Sequence, residues 1–285
     1  LVTTHAENGD LADTLVQRNR EAGNMAPKFH ALSRPPIVEA EATGRVSDLA
    51  YQGGHPLYIV HLTCEESLNR VRQAAMRNQK LHVETCVQYL LLDDSVYEQE
   101  NFGGAKYVMS PPLRKKKDQE ALWAGISQGL IEVVATDHCP FCMSQKKMGE
   151  NDFSKIPNGA PGVENRMELM FSEGVLKGRM SLNKFVDLTS TAPARIFGLA
   201  PKKGSIAVGG DADIVIFDPL ATHEISAKTH HMNCDYSAYE GWKVTGKCRT
   251  TILRGTVAID QGRALVGKGF GKYLARARLG QKLEN

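Results

Sequence analysis

The segments LYIVHLT at residues 57–63 and IEVVAT at residues 131–136 decide the fold class, because each is a short apolar run that ends in a polar motif. The first is followed by Cys64–Asn78, in which apolar residues recur at helical spacing. Two further strand-like runs occur at Val2–His5 and Leu81–Cys86. Strands that alternate with helical stretches predict β/α units and a parallel sheet, so the expected fold class is α/β.

The pattern changes near residue 203, beyond which turn residues separate short alternating segments. Residues 203–217 and 250–260 both have the pattern of a β-hairpin, and the second places Arg254-Gly255 at its turn. We therefore predict two domains, an α/β domain at residues 1–203 and a β-rich segment with a C-terminal tail at residues 204–285.

Composition excludes several classes of protein. A chain of 285 residues with 42% hydrophobic content can bury a core. Its 35 basic and 32 acidic residues are scattered, and only Arg114–Lys117 is a concentrated run, which predicts a solvated loop or helix start and no nucleic-acid partner. No stretch approaches the roughly 20 apolar residues of a membrane span, so no membrane partner is expected. Six sparse cysteines favour reduced thiols and a cytoplasmic location.

Candidate metal ligands lie where the predicted strands stop. His5 ends the first strand, His61 lies at the end of the second, and Asp137 follows the fourth. In a parallel barrel the C-terminal strand ends converge on one mouth, and two imidazoles with one carboxylate there form a set suited to zinc and similar ions. Each residue alone is typical of a structural histidine or a turn aspartate. Three at strand ends favour a metal site.

Several motifs together resemble those of one enzyme family. In chain order they are HAENGD at residues 5–10, IVHLTC at 59–64, ETC at 84–86, MSPPLR at 109–114, ATDHCPF at 135–141 and IPNGAPGVENR at 156–166. The residues of these motifs, and the order in which the motifs occur, resemble those of the dihydropyrimidinases and D-hydantoinases of the cyclic amidohydrolase superfamily. The motifs THHM at residues 229–232 and YEG at residues 239–241 extend the resemblance to nearly the whole chain.

The resemblance implies a metal-dependent hydrolase with a (β/α)8 TIM-like barrel and a small C-terminal β-sandwich segment. It implies two divalent metal ions, with zinc expected, where His5 and His61 hold one ion and Asp137 holds the other. The family's remaining ligands, a His-x-His pair and a carbamylated lysine, are expected in an N-terminal portion that this chain lacks together with the first barrel strands. The family's pattern also implies a homotetramer, with oligomerisation through the C-terminal segment.

The resemblance further implies the reaction. A hydroxide shared by two cations would open a cyclic ureide, such as dihydrouracil, dihydrothymine or a 5-substituted hydantoin, to an N-carbamoyl amino acid, as in pyrimidine catabolism. Asp137 would act as general base and acid, and the main chain at Ser110 and Asn158 would bind the ring. Taken alone, Ser110 is typical of an extended turn entry and Asn158-Gly159 of a turn. This chain expressed by itself is expected to be inactive.

Alternatives remain open at this stage. The collapsin response mediator proteins share the pattern but lack metal ligands, so the presence of His5, His61 and Asp137 favours an enzyme. An allantoinase or dihydroorotase would use the same kind of metal site, but we would expect different motifs around residues 110 and 158. A purely structural fragment is the third alternative. Cys139 and Cys142 have redox-pair spacing, but without a second pair we interpret them as ordinary loop residues.

Overall fold

The computed structural model describes residues 1–278, which form parts of two compact units. The first unit consists of Leu1–Arg166 and Ile225–Trp242, and the second of Met167–Glu224 and Lys243–Asn285. The predicted boundary at residue 203 falls within the second unit, and the assignment of residues 1–203 and 204–285 as domains stays a prediction. Residues 279–285 of the predicted tail lie outside the described residues.

A four-stranded parallel sheet forms the centre of the first unit. Its strands follow in the order β1 (Val2–Thr4), β2 (Leu57–Ile59), β3 (Leu81–Cys86) and β4 (Val133–Ala135). All four predicted strands are therefore present. Thr4 pairs with Ile59, and Cys86 pairs with Ala135. The second strand is shorter than its apolar run because His61 has a φ of 41°, which lies in the left-handed region that strands do not use.

Helices connect and cover these strands. They are α1 (Gly9–Glu21), α2 (Lys28–Leu32), α3 (Pro36–Gln52), α4 (Glu65–Met76), α5 (Val87–Leu91), α6 (Lys116–Ser127) and α7 (Met143–Lys146), with 3₁₀ turns at Asp94–Glu98, Gly103–Tyr107, Lys147–Gly149 and Phe153–Lys155. The α1 helix begins where the Asn8 side chain accepts a hydrogen bond of 3.0 Å from the Leu11 N–H. The α3 helix begins at Pro36, whose missing N–H costs nothing at a helix start. The predicted helix within residues 64–78 is confirmed as α4.

The core of the first unit lies between the sheet and its helices. Side chains with almost no exposure come from β2, α4, α6 and the segment before β4, namely Tyr58, Ile59, Leu68, Leu122, Ile126 and Ile131. The α4 and α6 helices approach closely, since a Cβ placed on Gly125 would lie 3.0 Å from Leu68 Cδ2. Removal of this apolar surface from water is the main force that fixes the strand ends in place.

The second unit is built on an antiparallel sheet of β5 (Ile214–Glu224), β6 (Lys243–Leu253), β7 (Thr256–Asp260) and β8 (Arg263–Ala264) in that order. Its helical elements are α8 (Arg166–Met170), across which the division between the units falls, α9 (Leu182–Val186) and α10 (Ala192–Ile196), with π turns at Phe171–Val175 and Asp187–Thr191. The predicted turn Arg254-Gly255 does join β6 to β7, and both residues have the positive φ that a tight hairpin requires. Residues 1–278 contain this one antiparallel sheet, and the C-terminal β-sandwich stays a prediction.

The prediction of a β-hairpin at residues 203–217 was wrong. Within this range only residues 214–217 are in a strand, and residues 203–213 form bends, one turn at 208–209 and irregular backbone. Lys203 explains the difference, because its ammonium pairs with Asp211 at 2.8 Å and also with Asp213. These ion pairs close the segment into a loop instead of a second strand.

A buried ion pair ties α3 to the residues that follow β2. The Glu39 carboxylate accepts hydrogen bonds from the Thr63 N–H at 2.8 Å, from the Thr63 hydroxyl and from Arg114 Nη2 at 3.1 Å. Arg114 also donates from Nε to Thr63 Oγ1 at 2.9 Å and from Nη1 to the Arg34 carbonyl. The solvated loop predicted at residues 114–117 is therefore wrong for Arg114, which is buried because it balances Glu39, whereas a helix does start at Lys116.

The glycine at position 246 of β6 should be required for space as well as for backbone conformation. A Cβ at Gly246 would lie 2.5 Å from Phe171 Cδ1 and 2.7 Å from Phe217 Cζ, whereas a Cβ at Gly255 would meet nothing within 4 Å. Both glycines have positive φ. We expect Gly255→Ala to cost about 1 kcal/mol and Gly246→Ala about 1–3 kcal/mol more, measured by urea unfolding. Equal losses would contradict the close packing.

Removal of one partner from the buried ion pair should be far more costly than the same change at the surface. Glu39→Gln leaves Arg114 buried without its counter-charge, so we expect unfolding free energy to fall by about 3–5 kcal/mol. The control is Glu41→Gln on the same helix, where the partner Arg45 is exposed, with an expected loss below about 1 kcal/mol. Fluorescence of the two tryptophans, both in the first unit, reports the transition. Similar losses of unfolding free energy in the two variants would show that the ion pair of Glu39 and Arg114 is no more costly to break than a surface pair.

Candidate metal centre

Two histidines meet where the first two strands end. His5 directly follows β1, and His61 lies two residues after β2. Because the strands are parallel and in register, their carboxyl ends lie at one edge of the sheet. His5 Nδ1 and His61 Nε2 are 2.8 Å apart, and the rings meet edge to face with centroids 4.6 Å apart. The structure thus brings together two of the three residues proposed as metal ligands.

This pair of imidazoles fits a divalent ion. Zinc–nitrogen bonds of about 2.1 Å at a tetrahedral angle place two ligand nitrogens about 3.4 Å apart, so a small increase in the distance between the two ring nitrogens admits the ion. Burial, followed by the neighbouring His5, lowers the pKa of His61 to about 4, and the neutral imidazole is the form that binds metals. Residues 1–278 contain no group of three or more histidine, cysteine or acidic side chains arranged to hold a metal, so the ion would need further donors.

A carboxylate orients the His5 ring. His5 Nε2 lies 2.9 Å from Glu7 Oε2, which also accepts a hydrogen bond of 3.0 Å from Arg34 Nη1. Burial opposes ionisation of Glu7, but the His5 hydrogen bond and the Arg34 charge together hold its pKa below the ordinary value. An ionised Glu7 accepts the Nε2 proton of His5 and leaves Nδ1 free to bind a cation. Glu7 was not among the predicted site residues, although a carboxylate two residues after a candidate ligand was a usable signal.

The backbone at His61 is held in an uncommon conformation by its neighbours. The Glu84 carboxylate on β3 accepts a hydrogen bond of 3.4 Å from the His61 N–H and one of 2.7 Å from the Tyr58 hydroxyl. On the other side, Thr63 is held by Glu39. A left-handed histidine persists only where its surroundings determine it, and such outliers are frequent at functional sites. Glu84 is a second residue whose role the sequence did not reveal.

Asp137 lies at the same edge of the sheet, two residues beyond β4. It is exposed and has a φ of 46°, which matches the left-handed conformation of His61. Its charge opposes the lowering of the His61 pKa and contributes, after burial, to the raised pKa of Glu84. The carboxylate is therefore close enough to act electrostatically on the histidine pair and is accessible to a bound molecule.

The two predicted substrate-binding residues are in direct contact. Asn158 Nδ2 donates a hydrogen bond of 3.1 Å to Ser110 Oγ. The chain next to Asn158 also bonds to the segment that follows Asp137, since the Cys139 N–H donates to the Ala160 carbonyl at 3.2 Å. Within residues 1–278 the main-chain N–H and C=O groups of Ser110 and Asn158 make no hydrogen bond, so a ligand can use them.

His138, which follows Asp137 in the chain, contacts the loop at residues 162–163. Its Nδ1 accepts hydrogen bonds from the Gly162 N–H at 3.2 Å and the Val163 N–H at 3.4 Å. Partial burial lowers the pKa of His138, which agrees with a neutral ring whose Nδ1 is an acceptor. His138 thus holds the loop that carries Asn158. Cys139 and Cys142 are both free thiols.

The chain is similar to known proteins of one family. Residues 21–258 match the amidohydrolase family. The chain is 50% identical over 284 residues to the D-hydantoinase of Geobacillus stearothermophilus, which covers 98% of this chain and 60% of that protein. It is 49% identical over 282 residues to the D-hydantoinase of Ralstonia pickettii, with 99% of this chain and 62% of that protein covered. The chain therefore spans about 60% of the length of these relatives.

Solved structures show the same relationship. The crystal structure of dihydropyrimidinase from Brevibacillus agri superposes with a TM-score of 0.97 at 46% identity, covering 98% of this chain and 61% of that one. The L-hydantoinase from Arthrobacter aurescens superposes with a TM-score of 0.90 at 32% identity, covering 96% and 60%. These similarities confirm the prediction of a TIM-barrel type of fold. The chain belongs to the amidohydrolase family, in the group that contains the D-hydantoinases and dihydropyrimidinases.

Proposed function

We propose that the protein hydrolyses the cyclic amide bond of a dihydropyrimidine or a 5-substituted hydantoin to give an N-carbamoyl amino acid. The observation that carries the proposal is the approach of His5 Nδ1 to His61 Nε2 at 2.8 Å, at parallel strand ends that also carry Asp137. The names of the relatives, D-hydantoinase and dihydropyrimidinase, support the substrate class. The retained histidine pair favours an enzyme over a relative that has lost its metal ligands.

Two divalent ions belong to this proposal. His5 and His61 would hold one, Asp137 would contribute to the other, and the further ligands that the family resemblance implies, a His-x-His pair and a carbamylated lysine, would complete the set. Imidazole ligands favour zinc. Bound cations of this kind lower the pKa of water and polarise a carbonyl under attack.

Asp137 would move the proton during ring opening. A carboxylate oxygen of Asp137 would take a proton from the water molecule that adds to the ring carbonyl carbon. The same oxygen would then return that proton to the ring nitrogen as the carbon–nitrogen bond breaks. Its exposure at the strand edge allows contact with substrate, and one carboxylate can perform both transfers because general base and general acid are two protonation states of one group.

Ser110 and Asn158 would hold the ring. A cyclic ureide alternates N–H donors with C=O acceptors, and the free N–H and C=O groups of these two residues have the matching complement. The side-chain hydrogen bond between them keeps the two segments at a fixed spacing. Main-chain recognition of this kind selects the ring and leaves its substituent to other parts of the site.

Three further properties belong to the proposal. The six cysteines, all free thiols, support a cytoplasmic location, and the substrate class supports a place in pyrimidine catabolism. A homotetramer assembled through residues 204–285 follows from the resemblance of that region to the family. None of the helices in residues 1–278 has both the length and the apolar character that a membrane span requires.

The complete gene product should open dihydrouracil or hydantoin in a metal-dependent reaction. Ring opening is followed by loss of ultraviolet absorbance and by detection of the N-carbamoyl product. We expect turnover to be lost on removal of metal by a chelator and restored by zinc, because the histidine pair alone activates no water. Turnover that survives complete metal removal would refute the mechanism.

Asp137→Asn removes the proton carrier and leaves both histidines in place, and its turnover is measured in the same assay. We expect about a 100-fold or greater loss of turnover with at least one metal ion retained. The control Asp48→Asn changes an exposed aspartate on α3 that pairs with Arg77 and should leave turnover unchanged. Near-normal turnover of Asp137→Asn would show that another group carries the proton.

A further inference from the structure

Lys146 is a lysine with no exposed area and a full set of hydrogen bonds. It is the last residue of α7, and its Nζ donates to the carbonyl oxygens of Val108 at 2.9 Å, Pro157 at 2.6 Å and Gly159 at 2.7 Å. An ammonium group has three donors, so these bonds use its whole capacity. The Phe141 ring also lies 5.5 Å from Nζ.

Space filling does not explain a lysine at this position. Lysine is almost never fully buried without a carboxylate partner, and here the three contacts are with neutral carbonyls. Burial lowers the pKa of Lys146 to about 7, against which the Cys139 and Cys234 thiols act in the opposite direction. A methionine would fill the same volume without this desolvation cost. The three carbonyls therefore give the reason for the lysine.

The planar peptide group shows what these bonds control. The C=O of Pro157 and the N–H of Asn158 belong to one rigid peptide and point in opposite directions. Because Lys146 binds the Pro157 oxygen, it sets the direction in which the Asn158 N–H points. The C=O of Asn158 is likewise fixed through the Gly159 N–H, which donates to the Val108 oxygen at 2.9 Å. That oxygen is also bound by Lys146.

The Ser110 segment is held in the same way from the other side. The C=O of Met109 shares a peptide with the N–H of Ser110, and the buried His30 donates from Nε2 to that oxygen at 2.8 Å. Burial lowers the pKa of His30 to about 4, so the ring is neutral and keeps its donor tautomer. Lys146 and His30 thus bind the C=O groups of two peptides, and the N–H groups of the same peptides, those of Asn158 and Ser110, are free at the site.

We infer that Lys146 is a positioning residue for substrate: it aims the main-chain N–H and C=O groups of Asn158 and fixes the Asn158 segment to that of Ser110. The inference rests on the proposed function, in which these groups hold the ureide ring. In this proposal Lys146 contacts neither the ureide ring of the substrate nor the pair of His5 and His61. Its loss therefore weakens binding of substrate and leaves the binding of metal ions unaffected.

The test compares Lys146→Met with Lys147→Met, which changes the adjacent, exposed lysine. In the complete gene product we expect Lys146→Met to raise KM for dihydrouracil about tenfold or more, with a smaller change in kcat and with metal content unchanged. Lys146→Gln keeps two donors and should give an intermediate KM. It serves for every measurement if the methionine variant does not fold. Lys147→Met should match the parent protein.

Hydrogen exchange provides a readout that needs no activity. The Gly159 amide should exchange about tenfold faster in Lys146→Met than in Lys147→Met, while the amides of β3 keep the protection of the parent protein. An unchanged KM with unchanged Gly159 exchange would overturn the inference. So would a fall in metal content with KM unaltered. A parent protein that opens no ring would refute the proposed function, and the Gly159 exchange would then decide the role of Lys146 by itself.

Discussion

The parallel pairing of β1 to β4 is the constraint on which the site depends. Backbone hydrogen bonds hold these strands in register, although three of the four are only three residues long. Since parallel strands end at a common edge, the residues that follow them, His5, His61 and Asp137, must lie at one side of the sheet. The proximity of the two imidazoles is thus a consequence of the strand register. A one-residue slip in the pairing of β2 would move His61 out of contact with His5.

Buried charges hold the backbone around this edge. Glu39 and Arg114 fix Thr63, which follows His61, and Lys146 fixes the segments that carry Ser110 and Asn158. In both places a buried titratable side chain satisfies main-chain N–H or C=O groups that would otherwise be buried without partners. Burial of such groups is a costly means of stabilisation. Glu39 on α3 and Lys146 on α7 both bind main-chain groups of neighbouring loops, which indicates that they serve to aim backbone groups.

The sequence predicted the strands and the strand-end residues because both depend on local pattern. Apolar runs identify β2 and β4 whatever surrounds them, and a polar residue at the end of such a run is visible in one dimension. The sequence did not predict the role of Lys146, because its hydrogen bonds to carbonyl groups leave no local signal. The burial of Arg114 was missed for the same reason, since its partner Glu39 is 75 residues away. The failed hairpin at residues 203–217 has the same cause, since the ion pairs of Lys203 override the alternating pattern.

The proposed reaction requires that His5 and His61 share one divalent ion. This requirement can be examined by anomalous diffraction at the zinc edge, with crystals of the complete gene product grown with zinc. We expect an anomalous peak about 2.1 Å from both His5 Nδ1 and His61 Nε2, with the two nitrogens farther apart than the 2.8 Å that separates them here. Absence of the peak, with the two imidazoles still in contact and zinc bound elsewhere in the protein, would contradict it.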